Sequence, residues 1–263
     1  MNKVQWLSII VSVVLVLLLF FAFDTKPKAQ KDLEKSRILM AESADVQVLL
    51  QEAKSTLSVE DGSEVLRLET ELELALTDSV KSSLYKELSG EWYRIGNYPL
   101  AGHYAQQVAD LDQTEESWSI AGTTYFVGIR GGKSEKERKF SAERAVQAFE
   151  NAISINPEST SHKVNLALVY TELPPEDNPM KGIQMLLGLN QEEPENVLVL
   201  VTLARLAVRT GQWDRAEERL LKALELDPGN GAAICLLADV YPEKGAAEKA
   251  AAYAEQCKQL SGK

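Results

Sequence analysis

Cysteine and histidine are scarce in this sequence of 263 residues, which limits the kinds of site that it can build. Its two cysteines, Cys235 and Cys257, lack the CxxC spacing of zinc and redox sites. We interpret them as small buried side chains, although a disulfide between them stays open. The two histidines, His103 and His162, have no Cys, His or acidic residue at metal-ligand spacing. The sequence therefore predicts no metal site.

Clustered positive charge is also lacking. The chain has 28 Lys and Arg against 39 Asp and Glu, a net charge of -11. Residues 1–40 hold six of the basic and three of the acidic residues, which leaves 22 against 36, or -14, for the rest. Because binding to nucleic-acid phosphates needs clustered Lys and Arg, this balance excludes a nucleic-acid partner.

Catalytic motifs are lacking as well. The segment from Gly131 to Ser134 ends like a phosphate-binding loop, but Val127 stands where that loop requires glycine. No pattern pairs a nucleophile with a base. We therefore predict no enzyme, no cofactor and no small-molecule substrate.

One long run without charge is present, from Val4 to Phe23. A helix of this length is about 30 Å long and matches the hydrocarbon core of a bilayer. We predict a single transmembrane anchor within residues 1–25. A cleaved signal peptide is the alternative, but the run is longer than the usual apolar region of about 7–15 residues and no A-x-A-like site follows it.

The charges that flank this run bear on its orientation. Lys3 precedes it, and five basic residues follow between positions 26 and 37, which by the positive-inside rule would keep the rest of the chain in the cytoplasm. Long domains are translocated largely regardless of charge, and a short tail with one Lys is also typical of a signal anchor. We favour an inner-membrane protein whose soluble part is extracytoplasmic, with the cytoplasmic face left open.

An internal repeat is the most specific pattern in the chain. In residues 197–230 the repeat positions are occupied by Leu203, Ala204, Ala207, Gly211, Trp213, Ala216, Leu220, Ala223 and Pro228. The same phase returns in residues 231–263 and 82–114, with turn glycines at Gly245 and Gly96. Residues 115–159 and 160–196 are irregular copies with extra residues, eleven in the first. The pattern resembles the tetratricopeptide repeat.

This resemblance implies an all-α fold, in which the transmembrane helix is followed by an α-solenoid of about five helix-turn-helix repeats within residues 82–263. Residues 26–81 are predicted to be a helical linker that caps the first repeat. Within it we expect helices at 31–57 and 63–76, separated by a break at residues 60–62.

The resemblance also implies a protein or peptide partner in a concave groove lined by the first helix of each repeat. Counting repeat positions gives Lys86, Tyr93, Thr123, Phe126, Val164, Leu168, Val201, Arg205, Val208, Cys235 and Asp239, with Arg209 beside them. The family's carboxylate clamp is not matched, because only Lys86 supplies its lysine. The groove is largely apolar, which favours an amphipathic or extended apolar segment of the partner. The alternative is that these residues pack against each other or against residues 31–76.

A basic island interrupts the acidic chain and is a possible secondary contact for an acidic partner or anionic lipid. It consists of Arg130, Lys133, Lys136, Arg138 and Lys139. A solvated loop is the simpler interpretation.

We predict a membrane-anchored adaptor or assembly factor that binds a partner protein, and as the alternative a scaffold that self-associates through its Ala-rich last helix.

Overall fold

The computed structural model describes residues 5–6 and 46–261. Of the predicted membrane span, only Gln5 and Trp6 are among them, and both are helical and exposed. The rest of the span, and residues 26–45 of the predicted linker, lie outside the described residues. None of the helices within the described part is both long enough and apolar enough to cross a membrane.

The chain divides into two units, residues 1–56 and 57–263. In the first unit residues 46–54 are helical, and Val46, Leu49 and Leu50 are buried. Their spacing of three and four residues places them on one helical face.

Eleven helices with both ends described form the second unit. They are α1 (Val59–Leu74), α2 (Asp78–Arg94), α3 (Tyr98–Asp112), α4 (Glu115–Gly131), α5 (Glu135–Ile155), α6 (Thr160–Glu172), α7 (Lys181–Glu192), α8 (Val197–Arg209), α9 (Trp213–Leu226), α10 (Gly231–Glu243) and α11 (Ala247–Ser261). Each helix from α2 onward packs mainly against its neighbours in the chain. Five hairpins result, α2–α3 to α10–α11, and the prediction of an all-α fold is confirmed for the described residues.

Helix α1 packs against α2, ahead of the first hairpin. The predicted break at residues 60–62 is wrong, because these residues form the first turn of α1. The hydroxyl of Ser58 accepts a hydrogen bond from the backbone N–H of Asp61 (3.1 Å) and thereby caps the helix. Glu60 and Asp61 are favourable there, since carboxylates stabilise the positive end of a helix dipole.

Three hairpins turn in the same way, at Gly96, Gly211 and Gly245. Each of these glycines has a positive φ, between 69° and 81°, which an L side chain adopts only with strain. After each glycine the next backbone N–H bonds to the carbonyl oxygen five residues back, as Asn97 does to Trp92 (2.9 Å). This is the Schellman arrangement, in which a glycine in the left-handed region ends a helix.

Small residues let the paired helices approach closely. Buried alanines from α3, α4 and α5 form one cluster around Trp118, with members Ala105, Ala109, Ala121, Ala148 and Ala152. A second cluster joins α8 to α10 around Leu220 and Leu237. The core therefore runs from hairpin to hairpin, as in other helical solenoids.

The eleven extra residues of the second repeat lengthen its helices. Helix α4 has 17 residues and α5 has 21, whereas α8 has 13 and α9 has 14. Their turn is short, from Gly132 to Ser134. The basic island therefore lies at the tip of a hairpin that is longer than those around it.

Cys235 of α10 and Cys257 of α11 form a disulfide, with their Cα atoms 4.9 Å apart. Our interpretation of them as separate buried thiols is wrong. The cause is the antiparallel packing of the last two helices, which brings residues distant in the sequence opposite each other.

Candidate partner-binding site

A cleft of about 570 Å³ opens between α2 and α4, with α3 at its floor. We call it the first-helix cleft, because α2 and α4 are the first helices of their hairpins. Its apolar lining consists of Tyr93, Ala105, Val108 and Ile120, and its polar lining of Lys86, Ser89, Asp112, Thr114, Glu116, Ser117 and Thr124.

Two apolar side chains of this cleft face solvent. Ile120 is 54% exposed and Tyr93 is 49% exposed. The ring of Tyr93 packs edge-on against Tyr98, with 5.1 Å between the ring centroids, which restrains its orientation. Large apolar and aromatic side chains held in place on the surface are typical of positions that carry binding energy in interfaces.

Charge at the first-helix cleft is mixed. The Nζ atom of Lys86 lies 3.5 Å from Oδ2 of Asp112, and the hydroxyl of Ser82 donates a hydrogen bond to the other oxygen of that carboxylate (3.1 Å). Glu116 adds a second carboxylate to the lining. With one cation and two carboxylates, the cleft suits an apolar segment with a neutral or basic flank.

A polar network holds α4 in place against α6. Glu115, the first residue of α4, lies 2.6 Å from Nε2 of the buried His162 and accepts hydrogen bonds from the side-chain amide of Asn156 (3.1 Å). The hydrogen bond with His162, followed by that with Asn156, lowers the pKa of the Glu115 carboxyl below its usual range. The network thus positions the helix that carries Ile120.

Of the predicted groove residues, Lys86 and Tyr93 line the first-helix cleft. In α4 the cleft uses Thr124 and Ile120, whereas the predicted Thr123 is exposed elsewhere and donates its hydroxyl to the backbone of Ser119 (2.8 Å). One residue along a helix changes the side-chain direction by about 100°, so Thr123 and Thr124 point to different sides of α4. The spacing of Ile120 and Thr124, four residues apart, is the signal that could have identified this face.

Val164 and Val201 are not surface residues, which corrects their prediction as groove contacts. They are 1% and 6% exposed and belong to the core. Phe126 is half-buried, and Leu168 and Val208 are half-buried against the core clusters. These first helices contact both their own partner helix and the next hairpin, so much of the predicted face is covered.

The remaining predicted residues are scattered. Arg205 and Arg209 are exposed on α8, and Arg209 pairs with Glu172 (2.6 Å). Asp239 is exposed on α10, whereas Cys235 is held in the disulfide and so is not a free groove residue.

The basic island is brought together at the tip of the α4–α5 hairpin. Its five members, Arg130, Lys133, Lys136, Arg138 and Lys139, are all exposed. Arg138 has a structural role as well, because its Nε donates a hydrogen bond to the backbone carbonyl of Ile129 (3.0 Å) and so caps α4.

No group of three His, Cys, Asp or Glu side chains within the described residues is arranged to hold a metal ion. The disulfide also occupies the sulfur atoms of both cysteines.

Comparison with known proteins gives a family match to one segment of the chain. The family model of the tetratricopeptide repeat matches residues 197–240. No curated protein sequence matches the chain. Solved structures similar to it include MamA 41-end from Desulfovibrio magneticus RS-1, with 18% identity over 71% of this chain and 97% of that chain (TM-score 0.42). The structure "MamA MSR-1 C2" has 21% identity over 70% and 98% of the two chains (TM-score 0.39).

The matched segment covers α8, α9 and most of α10. The turn glycine of this segment, Gly211, recurs at Gly96 and Gly245 in the first and last hairpins. The matched segment is therefore similar to the tetratricopeptide repeat, and the hairpins around it are also pairs of antiparallel helices.

Proposed function

We propose that this protein is a membrane-anchored adaptor that binds an apolar segment of a partner protein in the first-helix cleft. The observation that carries the proposal is the exposure of Ile120 and Tyr93 in a preformed cleft between first helices. A buried interface would remove both side chains from water, at a gain of about 25 cal/mol per Å² of apolar surface.

The chemistry of the cleft favours one class of segment. Its single cation, Lys86, is already beside Asp112, so an acidic C-terminus gains little there. An amphipathic helix or extended strand with two or three apolar side chains suits the lining.

Membrane anchoring belongs to the same proposal and is supported by the uncharged run at residues 4–23. We propose the inner membrane, with the solenoid on the extracytoplasmic face. The disulfide supports that side, because disulfides form and persist in oxidising compartments. Alkaline phosphatase fused to the C-terminus is then expected to be active, and a fusion that is inactive although produced at normal levels would contradict the export.

The binding proposal is tested by replacing Ile120 with Asp in the full-length chain. Proteins that co-purify from native membranes are quantified by mass spectrometry. The recovery of a partner that binds in the cleft should fall at least about tenfold. Burying the new carboxylate costs more than about 1.4 kcal/mol, which is the free energy of a tenfold change in affinity. Val80→Asp is the matched control, since Val80 is also an exposed apolar residue (49%) but lies on α2 outside the cleft.

Recovery that is the same for Ile120→Asp and the wild-type chain would contradict a partner in this cleft. A photo-crosslinker placed at Tyr93 gives a second measurement, because it should link to the same partner that Ile120→Asp loses. Links from Val80 to that partner with equal yield would place the contact elsewhere.

Self-association through α11 is the second candidate. Helix α11 has no fully buried residue among positions 247–260, and its exposed alanines include Ala251 and Ala252. Exposed Lys and Glu side chains alternate with them, which is typical of a solenoid end that faces water. Light scattering of the purified chain tests this candidate, and a monomer at high concentration would exclude it.

A further inference from the structure

A second cleft, of about 440 Å³, opens between α7 and α9, with α8 at its floor. Because α7 and α9 are the second helices of their hairpins, it opens on the side of the solenoid away from the first helices. Its apolar lining includes Met180, Ile183, Leu187 and Leu206. Met180 is 50% exposed and Leu187 is 40% exposed.

Three arginines stand at this cleft, and we call it the arginine cleft. Arg209 already pairs with Glu172. Arg215 donates a hydrogen bond to the side-chain carbonyl of Gln212 (2.7 Å), a neutral group. Within residues 46–261, neither Arg215 nor Arg219 forms an ion pair with a carboxylate.

Arg215 and Arg219 are one turn apart on α9, so their like charges face the same side. Arg219 is half-buried. Burial and then the neighbouring charge of Arg215 lower the pKa of Arg219, and the nearby Glu218 only partly offsets this. In a chain with 39 acidic residues, two adjacent cations without a carboxylate partner are a local excess of positive charge.

The two parts of the lining define the chemistry of a ligand. Guanidinium groups are weakly hydrated and bind carboxylates through two parallel hydrogen bonds. Apolar side chains such as those of Met180 and Leu187 bind other apolar side chains. A helix with Asp or Glu one turn apart on one edge and Leu, Ile or Met beside them matches both.

We propose that the arginine cleft is a second docking site, which binds an acidic amphipathic helix of a partner protein. The carboxylates of that helix pair with Arg215 and Arg219, and its apolar side chains cover Met180 and Leu187. This site is separate from the first-helix cleft, so its partner and that of the proposed function can be bound together.

The test uses the full-length chain, purified in detergent and immobilised, and a phage library of random 16-residue peptides. Peptides are selected on the wild-type chain and counter-selected on the double variant Arg215→Glu/Arg219→Glu. The surviving peptides are expected to be enriched in Asp or Glu spaced by three or four residues beside Leu, Ile or Met. A synthetic peptide of this kind should bind the double variant at least about tenfold more weakly, and its affinity should fall with added salt.

Lys222→Glu is the matched control, because Lys222 is an exposed cation of the same helix outside the cleft. It should change the affinity by less than about twofold, because a solvent-exposed charge at this distance is screened by salt. Met180→Ser/Leu187→Ser should weaken binding, whereas Ile120→Asp in the first-helix cleft should not. Because Ile120 lies in the first-helix cleft, this last variant tests the proposed function without changing the arginine cleft. The two proposals can therefore fail independently.

Some results would overturn the proposal. These are selected peptides without acidic enrichment, no binders at all, or equal binding to the wild-type chain and Arg215→Glu/Arg219→Glu. If the charge-reversed variant has a weaker helical circular dichroism signal than the wild-type chain, Arg215→Gln/Arg219→Gln is used instead. The same loss of affinity is expected for this neutral variant.

Discussion

Gly182, near the start of α7, lies where that helix comes closest to α6. A Cβ atom at this position would lie 2.4 Å from the carbonyl oxygen of Ala167 and 2.8 Å from the backbone nitrogen of Thr171. Both are backbone atoms of α6, so no side-chain rotation can relieve the contact. Gly182→Ala therefore forces the two helices apart.

The expected cost is worked from two opposing effects. Overpacking of a close contact costs about 1–3 kcal/mol, and the helix propensity of alanine returns up to about 1 kcal/mol. We expect Gly182→Ala to lower the free energy of unfolding of this hairpin by up to about 2 kcal/mol. Gly188 of the same helix has no atom within 4 Å of a built Cβ, so Gly188→Ala should instead raise stability by about 1 kcal/mol.

Urea denaturation followed by circular dichroism gives the sign of each change. Hydrogen exchange shows where it acts, because repeat proteins open locally. Faster exchange in α6 and α7 is expected for Gly182→Ala and slower exchange for Gly188→Ala. Changes of the same sign in both variants would refute the close approach of these two helices.

Two further predictions concern the disulfide and His103. Cys235→Ala/Cys257→Ala should lower the stability of the last hairpin by about 3 kcal/mol, as expected for a bridge that spans 22 residues, with faster exchange in α10 and α11 and little change in α4. An unchanged exchange rate in α11 would show that the disulfide does not stabilise the last hairpin. Burial, helped by the charge of Arg144, lowers the pKa of His103 to about 4, whereas in the unfolded chain it is about 6.5. The unfolded state therefore binds the extra proton, and the free energy of unfolding should fall by up to about 3 kcal/mol between pH 6.5 and pH 4. His103→Gln should flatten that part of the stability curve, and equal slopes for both proteins would contradict a His103 that stays neutral in the folded protein.

The repeat pattern predicted the hairpins because each repeat is a local unit. The glycines at 96, 211 and 245 stand where a helix must end in the left-handed region, and all three do so. The alanines of the pattern in residues 197–230 lie in the core, since two helices can approach closely only where side chains are small. Helix α1 was misjudged at its start, because a glycine and two acids were interpreted as a break instead of a capped first turn.

The surface of the solenoid was predicted less well, and Val201 shows why. It follows the repeat position of a groove residue, yet it is buried because α8 is covered by helices on two sides. Thr123 was one residue away from Thr124, a small distance along the chain but about 100° around the helix.

The sequence by itself determined the helical class, the repeat phase, the turns and the uncharged run at its start, since each depends on residues close together in the chain. Only the tertiary structure decided that Cys235 meets Cys257, that Ile120 and Tyr93 face one cleft, and that Arg215 and Arg219 line the same cleft as Met180. The reason is physical. These pairings join residues on different helices, and they depend on how each helix is rotated against its neighbours.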